Sequence, residues 1–384
     1  MTAFETMRKH YQQRDLAARE WKEEGGGEVV GYLCDSVPEE LILAAGFFPL
    51  RLSGDPWGGT ETADGYGDGS LSTQGREDFV ASMVDMILTG RYDFLDFLII
   101  PRTRDSIQGI CSLLDIVKAA DPALKLPESH FIDSLYPTSY SNQLYNRDRI
   151  IEMKEKLEEW SGKEITDESL SRAIALGDEN KILLKEVADL RTADPPRISG
   201  VEALQIIGSS MFMLKEEHNR LLSQYLEDAG KLPQRNGVRL FIEGSPLDNL
   251  QLYELIELSN ATVVAEDNCW GNRYSDVPVD TSIEPPIDAI VDRYHRKSPC
   301  PWMVPIGSRI KYCLDSAVKA KVQGIVFNVQ QFDYIQTWEI PDEIKAFEEK
   351  GIPCLYLKQQ PYLISDTKEL KASIEEFVKT IRNK

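Results

Sequence analysis

The sequence is poor in the residues that carry most hydrolytic and metal chemistry. It has four histidines, His10, His130, His218 and His295. His10 and His218 fall on charged helical stretches and read as solvent-facing, His130 starts a strand, and His295 lies near a helix end. A Ser-His-Asp triad or a histidine-ligated metal therefore has little support. The six cysteines, Cys34, Cys111, Cys269, Cys300, Cys313 and Cys354, are scattered, with no two closer than 13 positions. No C-x-x-C knuckle exists, so free and mostly buried thiols are the default. No G-x-G-x-x-G follows a strand, and G-x-x-x-x-G-K-[ST] and G-x-S-x-G are absent, which removes the usual nucleotide and hydrolase fingerprints.

Positive charge is also scarce. Lys and Arg total 43 against 63 Asp and Glu, a net charge of −20 and a pI near 4.8. Such a surface repels nucleic acid and anionic lipid, so an anionic ligand needs a local cluster of Arg or Lys. Long apolar runs are missing too: nothing approaches the roughly 18–20 residues of a spanning helix. The start, MTAFETMRKHYQQRDLAARE, is amphipathic and charged without an apolar signal core. A cytoplasmic protein without membrane or nucleic-acid partners is expected.

What remains is an ordinary globular composition, 42% hydrophobic and 28% charged over 384 residues, enough for two or three cores. A helix is expected over 3–24, stopped by Gly25, Gly26 and Gly27. Strand and helix signals then alternate: VVGYL (29–33), PEELILAAG (38–46), FFPLRL (47–52), a glycine-rich loop over 54–70, helix 76–89, strand 94–100, helix 106–119 and strand 130–133. This βαβ series implies a parallel sheet. From 144 to about 230 the period is helical throughout, with Ile165-Thr166-Asp167-Glu168 as a helix start, Pro195-Pro196 as a break, and one helix expected over 201–230. Strands return at VRLFIEG (238–244), ATVVAED (261–267), GIVFNV (324–329) and CLYL (354–357). The two α/β parts share one plan, an internal duplication of order rather than identity. The fold class is α/β: a helix and first parallel-sheet lobe over 1–143, a helical segment over 144–235, and a second lobe over 236–384. The strand ends of both lobes are expected to face one cleft, where open α/β sheets bind ligands.

Two loops draw notice. In 34-CDSVPEE-40, Asp35 or Ser36 reads as a helix cap, with Pro38 in the first turn and Glu39 and Glu40 offsetting the helix dipole. The same geometry lets Ser36 and nearby amides hold a substrate carbonyl or phosphate. In 97-FLIIPRTRDS-106, the strand breaks at Pro101 and delivers Arg102 and Arg104.

Taken together, GYLCDSVPEELILAAGFFPLRLSG, GRYDFLDFLIIPRTRDS, DPPRISGVEAL, RLFIEGSPLDN, VVAEDNCWGNRY, RYHRKSPCP, VQGIVFN and GIPCLYL resemble the 2-hydroxyacyl-CoA dehydratase / benzoyl-CoA reductase family, in order and over nearly the whole chain. The resemblance implies two Rossmann-like lobes plus helices. It implies a heterodimer with a homologous subunit bearing a [4Fe-4S] cluster, a CoA thioester substrate, and an ATP-hydrolysing iron–sulfur activator that injects one electron. In the dehydratases the reduced thioester, a ketyl radical anion, expels the hydroxyl and returns the electron. Nothing in the sequence supports a flavin.

The resemblance also marks iron-ligand positions, and this chain departs from all three. Where cluster-bearing relatives read P-N-T-C-D, it has Pro101-Arg102-Thr103-Arg104-Asp105. Around 77–82 (EDFVAS) there is no cysteine, and the F-C-D context reads Gln331-Phe332-Asp333. A guanidinium is a permanent cation and cannot ligate iron. The chain thus reads as the smaller, cluster-poor beta subunit, with a set such as Cys34, Cys111 and Cys269 as the alternative way to hold a cluster. Arg102 and Arg104 either plug the vacant space, ion-paired with Asp105 or Asp333, or bind an anion: a CoA phosphate, a substrate carboxylate or the partner's cluster. Arg273 either pairs with Glu266 or Asp267 or meets a phosphate. Trp57 and the glycine-rich loop either close over a neighbouring subunit or form a surface insertion. A subunit of an aryl-CoA reductase and a non-catalytic scaffold subunit are the competing readings.

Overall fold

The computed structural model describes residues 1–55, 78–301, 305–364 and 366–383; most of the glycine-rich loop, Trp57 included, lies outside them. Two four-stranded, all-parallel sheets form the frame. The first contains β1 (Val29–Tyr32), β2 (Phe48–Arg51), β3 (Phe97–Pro101) and β4 (Glu128–Ile132), in the order β2-β1-β3-β4. The second contains β5 (Val238–Gly244), β6 (Ala261–Asp267), β7 (Gly324–Gln330) and β8 (Cys354–Gln360), in the order β6-β5-β7-β8. The arrangement is the same in both: the second strand lies outside the first, and the order reverses between the first and third. Central strands such as VVGY and GIVFNVQ are buried throughout, as parallel strands covered on both faces must be.

Strand alternation sorts the apolar side chains into three layers. Val30, Tyr32 and Ile99 point to an outer core shared with α6 (Tyr140–Ser161), α7 (Asp167–Thr192) and α11 (Pro286–Arg296). Leu98 and Ile100 point the other way, into a central core that also receives Leu240, Ile242 and Val326 from the second sheet. Met7 and Tyr11 of α1 (Ala3–Gln12), with residues of α8 (Gly200–Ser209) and α9 (Lys215–Glu227), complete that layer. Phe241, Ile325, Phe327 and Val329 face a third core with α12 (Ile306–Lys319) and α13 (Tyr334–Glu349). The central core is thus common to both sheets, and α11 crosses from the second part of the chain to pack against the first.

The remaining helices are α2 (Leu16–Glu23), α3 (Glu39–Ala44), α4 (Asp78–Leu88), α5 (Asp105–Ala120), α10 (Gln251–Glu257) and α14 (Thr367–Arg382). Two expected helices are each divided. The 3–24 stretch breaks between α1 and α2, where Arg14 reaches the second lobe and donates to Asp248 Oδ2 at 2.8 Å. The 201–230 stretch breaks between α8 and α9, where Met211, Phe212 and Met213 turn into the central core. Thr166 and Ser199 cap α7 and α8 as helix starts should. No helix among the described residues is long and apolar enough to cross a membrane.

Candidate functional site

The order reversal in each sheet leaves a crevice at the C-terminal ends of the strands, the place where open α/β sheets hold ligands. The two crevices meet. Arg104, after β3, donates Nη1 to Asp333 Oδ2, after β7, at 2.8 Å, and both are buried. Ser245, after β5, donates to the same oxygen at 2.6 Å. The other Asp333 oxygen accepts the Gln336 amide and caps α13. Gly244 makes this convergence possible. Its φ is +130°, and a Cβ there would stand 2.1 Å from the Asn328 carbonyl oxygen, so β5 and β7 approach this closely only with glycine.

A second cluster lies at the ends of β1, β2 and β6. Cys34 takes a left-handed backbone, φ 61°, and its sulfur is 3.4 Å from Thr103 Oγ1. Burial pushes its thiol up to about 11. Arg51, the last residue of β2, donates to the Cys269 carbonyl at 2.7 Å and to Cys269 Sγ at 3.0 Å, and lies 3.8 Å from the Trp270 ring centroid. Arg273 pairs with Asp267 at 3.3 Å; Glu266, its other expected partner, is held by Arg191. Lys297 pairs with Asp35 at 2.9 Å. Burial alone raises the Asp35 carboxyl, but the charges of Lys297, Arg273 and Arg51 outweigh it and hold the group below the ordinary carboxylate range.

The expected cap at this loop does not form. Pro38 is the N-cap residue of α3 and supplies no side-chain bond; Asp35 turns instead to Lys297. Ser36 Oγ makes no hydrogen bond to the helix and is buried among Tyr136, His295 and Lys297. Glu39 and Glu40 do more than offset the dipole. Glu39 accepts from Tyr32, Tyr274 and Lys215, and Glu40 from Lys181 and Tyr294. Arg102 stays exposed, paired with Asp133 at 2.8 Å. His218, expected at the surface, is fully buried between α7, α8 and α9, and His10 is half-buried.

An iron–sulfur cluster needs converging thiolates, and among the described residues no three cysteines converge; the one group with metal-ligating spacing is Glu243, Asp267 and Cys313. After β3 and β7, a buried guanidinium–carboxylate pair fills the crossing. Cys34 Sγ lies against Thr103 Oγ1, and Cys269 Sγ is taken by Arg51. Cys111 does not join them. It sits six residues beyond the first residue of α5, about 9 Å along the helix axis, with Asp115 as its charged neighbour. The alternative set of Cys34, Cys111 and Cys269 is therefore not assembled. Cys300 comes nearer, sharing the field of Arg273 with Cys269. Sequence reading missed Arg51, Arg293 and Lys297, whose one visible signal was the basic run Arg293–Lys297 in an acidic chain.

Fold and crevice define a class: a two-lobed, doubly wound α/β protein whose facing strand ends form the site. The 2-hydroxyglutaryl-CoA dehydratase, D-component family matches residues 34–381, and the chain belongs to it. It is 26% identical to one of the subunits of benzoyl-CoA reductase from Thauera aromatica, over 91% of this chain and 90% of the relative. It is 24% identical to the (R)-phenyllactyl-CoA dehydratase beta subunit of Clostridium sporogenes, over 94% and 93%. It is 20% identical to the (R)-2-hydroxyglutaryl-CoA dehydratase beta subunit of Acidaminococcus fermentans, over 93% of each.

Proposed function

We propose that this chain is the cluster-poor beta subunit of a heterodimeric (R)-2-hydroxyacyl-CoA dehydratase. Its homologous partner carries the [4Fe-4S] cluster, and an ATP-dependent iron–sulfur activator supplies the electron that makes water elimination from the thioester feasible. The observation that carries this reading is the Arg104–Asp333 pair, a neutralised, buried plug at the lobe crossing where the resemblance places iron ligands. Relatives named as beta subunits of three such dehydratases support it. The chain's own residues then shape and support: Arg104 ties the lobes together, and Arg273 braces the end of β6.

Iron and acid-labile sulfide are measured on the chain purified alone and anaerobically, and again on its complex with a cluster-bearing homologue. Metal should track the partner; about four irons per chain in the isolated protein would overturn the assignment. The similarity to the benzoyl-CoA reductase of Thauera aromatica favours a second reading, reduction of an aryl-CoA ring. Thioester turnover by the assembled complex separates the two, since one product has lost water and the other has gained ring hydrogens.

A further inference from the structure

Strands β7 and β8 end side by side, Gln330 opposite Gln360, and the chain leaves β7 through an unusual turn. Phe332 takes a left-handed backbone, φ 64°, a conformation rare for a bulky residue. Asp333 then turns inward to Arg104 and Ser245. The aromatic residues on either side of it, Phe332 and Tyr334, are left 38% and 64% exposed. One turn further along α13, on the same face as Tyr334, Trp338 is 82% exposed, more than any other large apolar side chain among the described residues except Met1. Pro341 follows on that face, exposed and inside the helix, where it removes the helical hydrogen bond to the Thr337 carbonyl.

Single exposed apolar side chains such as Ile182 and Val318 are ordinary. Three aromatic side chains on one turn and the helix that follows it are not, and folding of α13 does not call for them. With about 150–250 Å² per aromatic side chain, their exposures leave roughly 350 Å² of aromatic surface facing water. A stable interface takes about 800 Å² from each partner, so the patch has the size of the apolar centre of one. Its surroundings have the polarity of a rim: Asp342, one turn beyond Trp338, and Lys358, near the end of the adjoining β8, are both exposed.

A second copy of this chain is a poor occupant, since two molecules of net charge −20 repel each other. A homologous subunit fits better. The patch surrounds Gln331-Phe332-Asp333, the loop where the resemblance places an iron ligand in cluster-bearing homologues, and relatives of this chain are named as subunits. Subunits related by a two-fold axis meet through corresponding faces. We propose that Phe332, Tyr334 and Trp338 form the apolar centre of the surface on which the homologous cluster-bearing subunit docks, with cationic side chains of that subunit opposite Asp342. The inference rests on the heterodimer reading and adds where the two chains meet.

The test uses the full chain and a cluster-bearing homologue, co-expressed and purified anaerobically. Benzoylphenylalanine at position 338 should photocrosslink to the homologue, and the same group at position 182 should not. Trp338→Ser should weaken association about 30-fold or more, the scale of an interfacial tryptophan hot spot, while Ile182→Ser leaves it unchanged. Circular dichroism checks that each variant folds, and Tyr334→Ser carries the comparison if Trp338→Ser does not. Native affinity in the folded variants, with crosslinks to the homologue from position 182 alone, would overturn the docking surface and leave the heterodimer standing. Crosslinks from position 338 to a second copy of this chain would overturn the choice of partner. Failure of the unmodified chain to associate with the homologue at all would remove the heterodimer reading and this surface with it.

Discussion

Arg104 and Asp333 come from different lobes, 229 residues apart, and each is buried beyond the reach of bulk water. Replacing Arg104 with Met leaves the Asp333 carboxylate with Ser245 and the α13 amide but without its counter-charge. Such a truncation costs about 3–5 kcal/mol, whereas removing both charges together is far milder. Urea unfolding should therefore show a large loss for Arg104→Met and recovery of most of it in Arg104→Met/Asp333→Asn; equal losses in the two would contradict a pairing role. The sequence offered Asp105 and Asp333 as partners for Arg104, and the fold selects the distant one because the strand ends of the two sheets face each other. Arg51 and Lys297 were not legible in the same way. Each lies in an otherwise ordinary stretch, and only the approach of β2 to the Cys269–Trp270 turn, or of the α11 end to Asp35, gives it a chemical setting.

At the scale of elements, helix ends were harder to read than strands. VRLFIEG and ATVVAED match β5 and β6 to the residue, because continuous apolar runs flanked by polar turns leave few alternatives. The 201–230 stretch keeps a helical period through Met211, Phe212 and Met213, so nothing local announces the break. Packing creates it, and His218 shows how. Its Nδ1 is 2.8 Å from Asn180 Nδ2 on α7, and its Nε2 is 3.1 Å from both Ser209 Oγ and the Ile206 carbonyl on α8. One ring thus joins three helices, and it does so as a neutral donor–acceptor. Burial first, and then the charge of Lys215, lower its pKa from 6.5 to about 3. A folded value below the unfolded one means that the stabilisation is fully present above pH 6.5 and is lost as pH falls toward 3. The loss reaches at most ~1.4 kcal/mol per pH unit in that window. His218→Asn should be less stable at pH 7 yet show a shallower decline from pH 6.5 to 4.5; parallel declines would remove His218 as the cause.

At the scale of the whole molecule, the repeated strand order was visible as a repeated sequence plan. The sharing of one core was not, since periodicity shows which face of a strand is apolar but not what covers it. Met7 of α1, Leu98 of β3, Leu222 of α9 and Val326 of β7 belong to the same buried cluster. Arg14, Arg51 and Arg104 each cross from the first part of the chain to the second. Chains of this length usually unfold in stages when their lobes hold separate cores. Here neither sheet can lose its inner face without exposing that of the other, and the N-terminal helix is part of the seal. Calorimetry of the isolated chain should accordingly show one transition with calorimetric and van't Hoff enthalpies in agreement. Leu240→Ala, a truncation in the second sheet worth about 2–5 kcal/mol, should lower that single midpoint without splitting it. A resolved early transition for the second lobe in this variant would mean that the two sheets are stabilised independently and that the shared core couples them too weakly to matter.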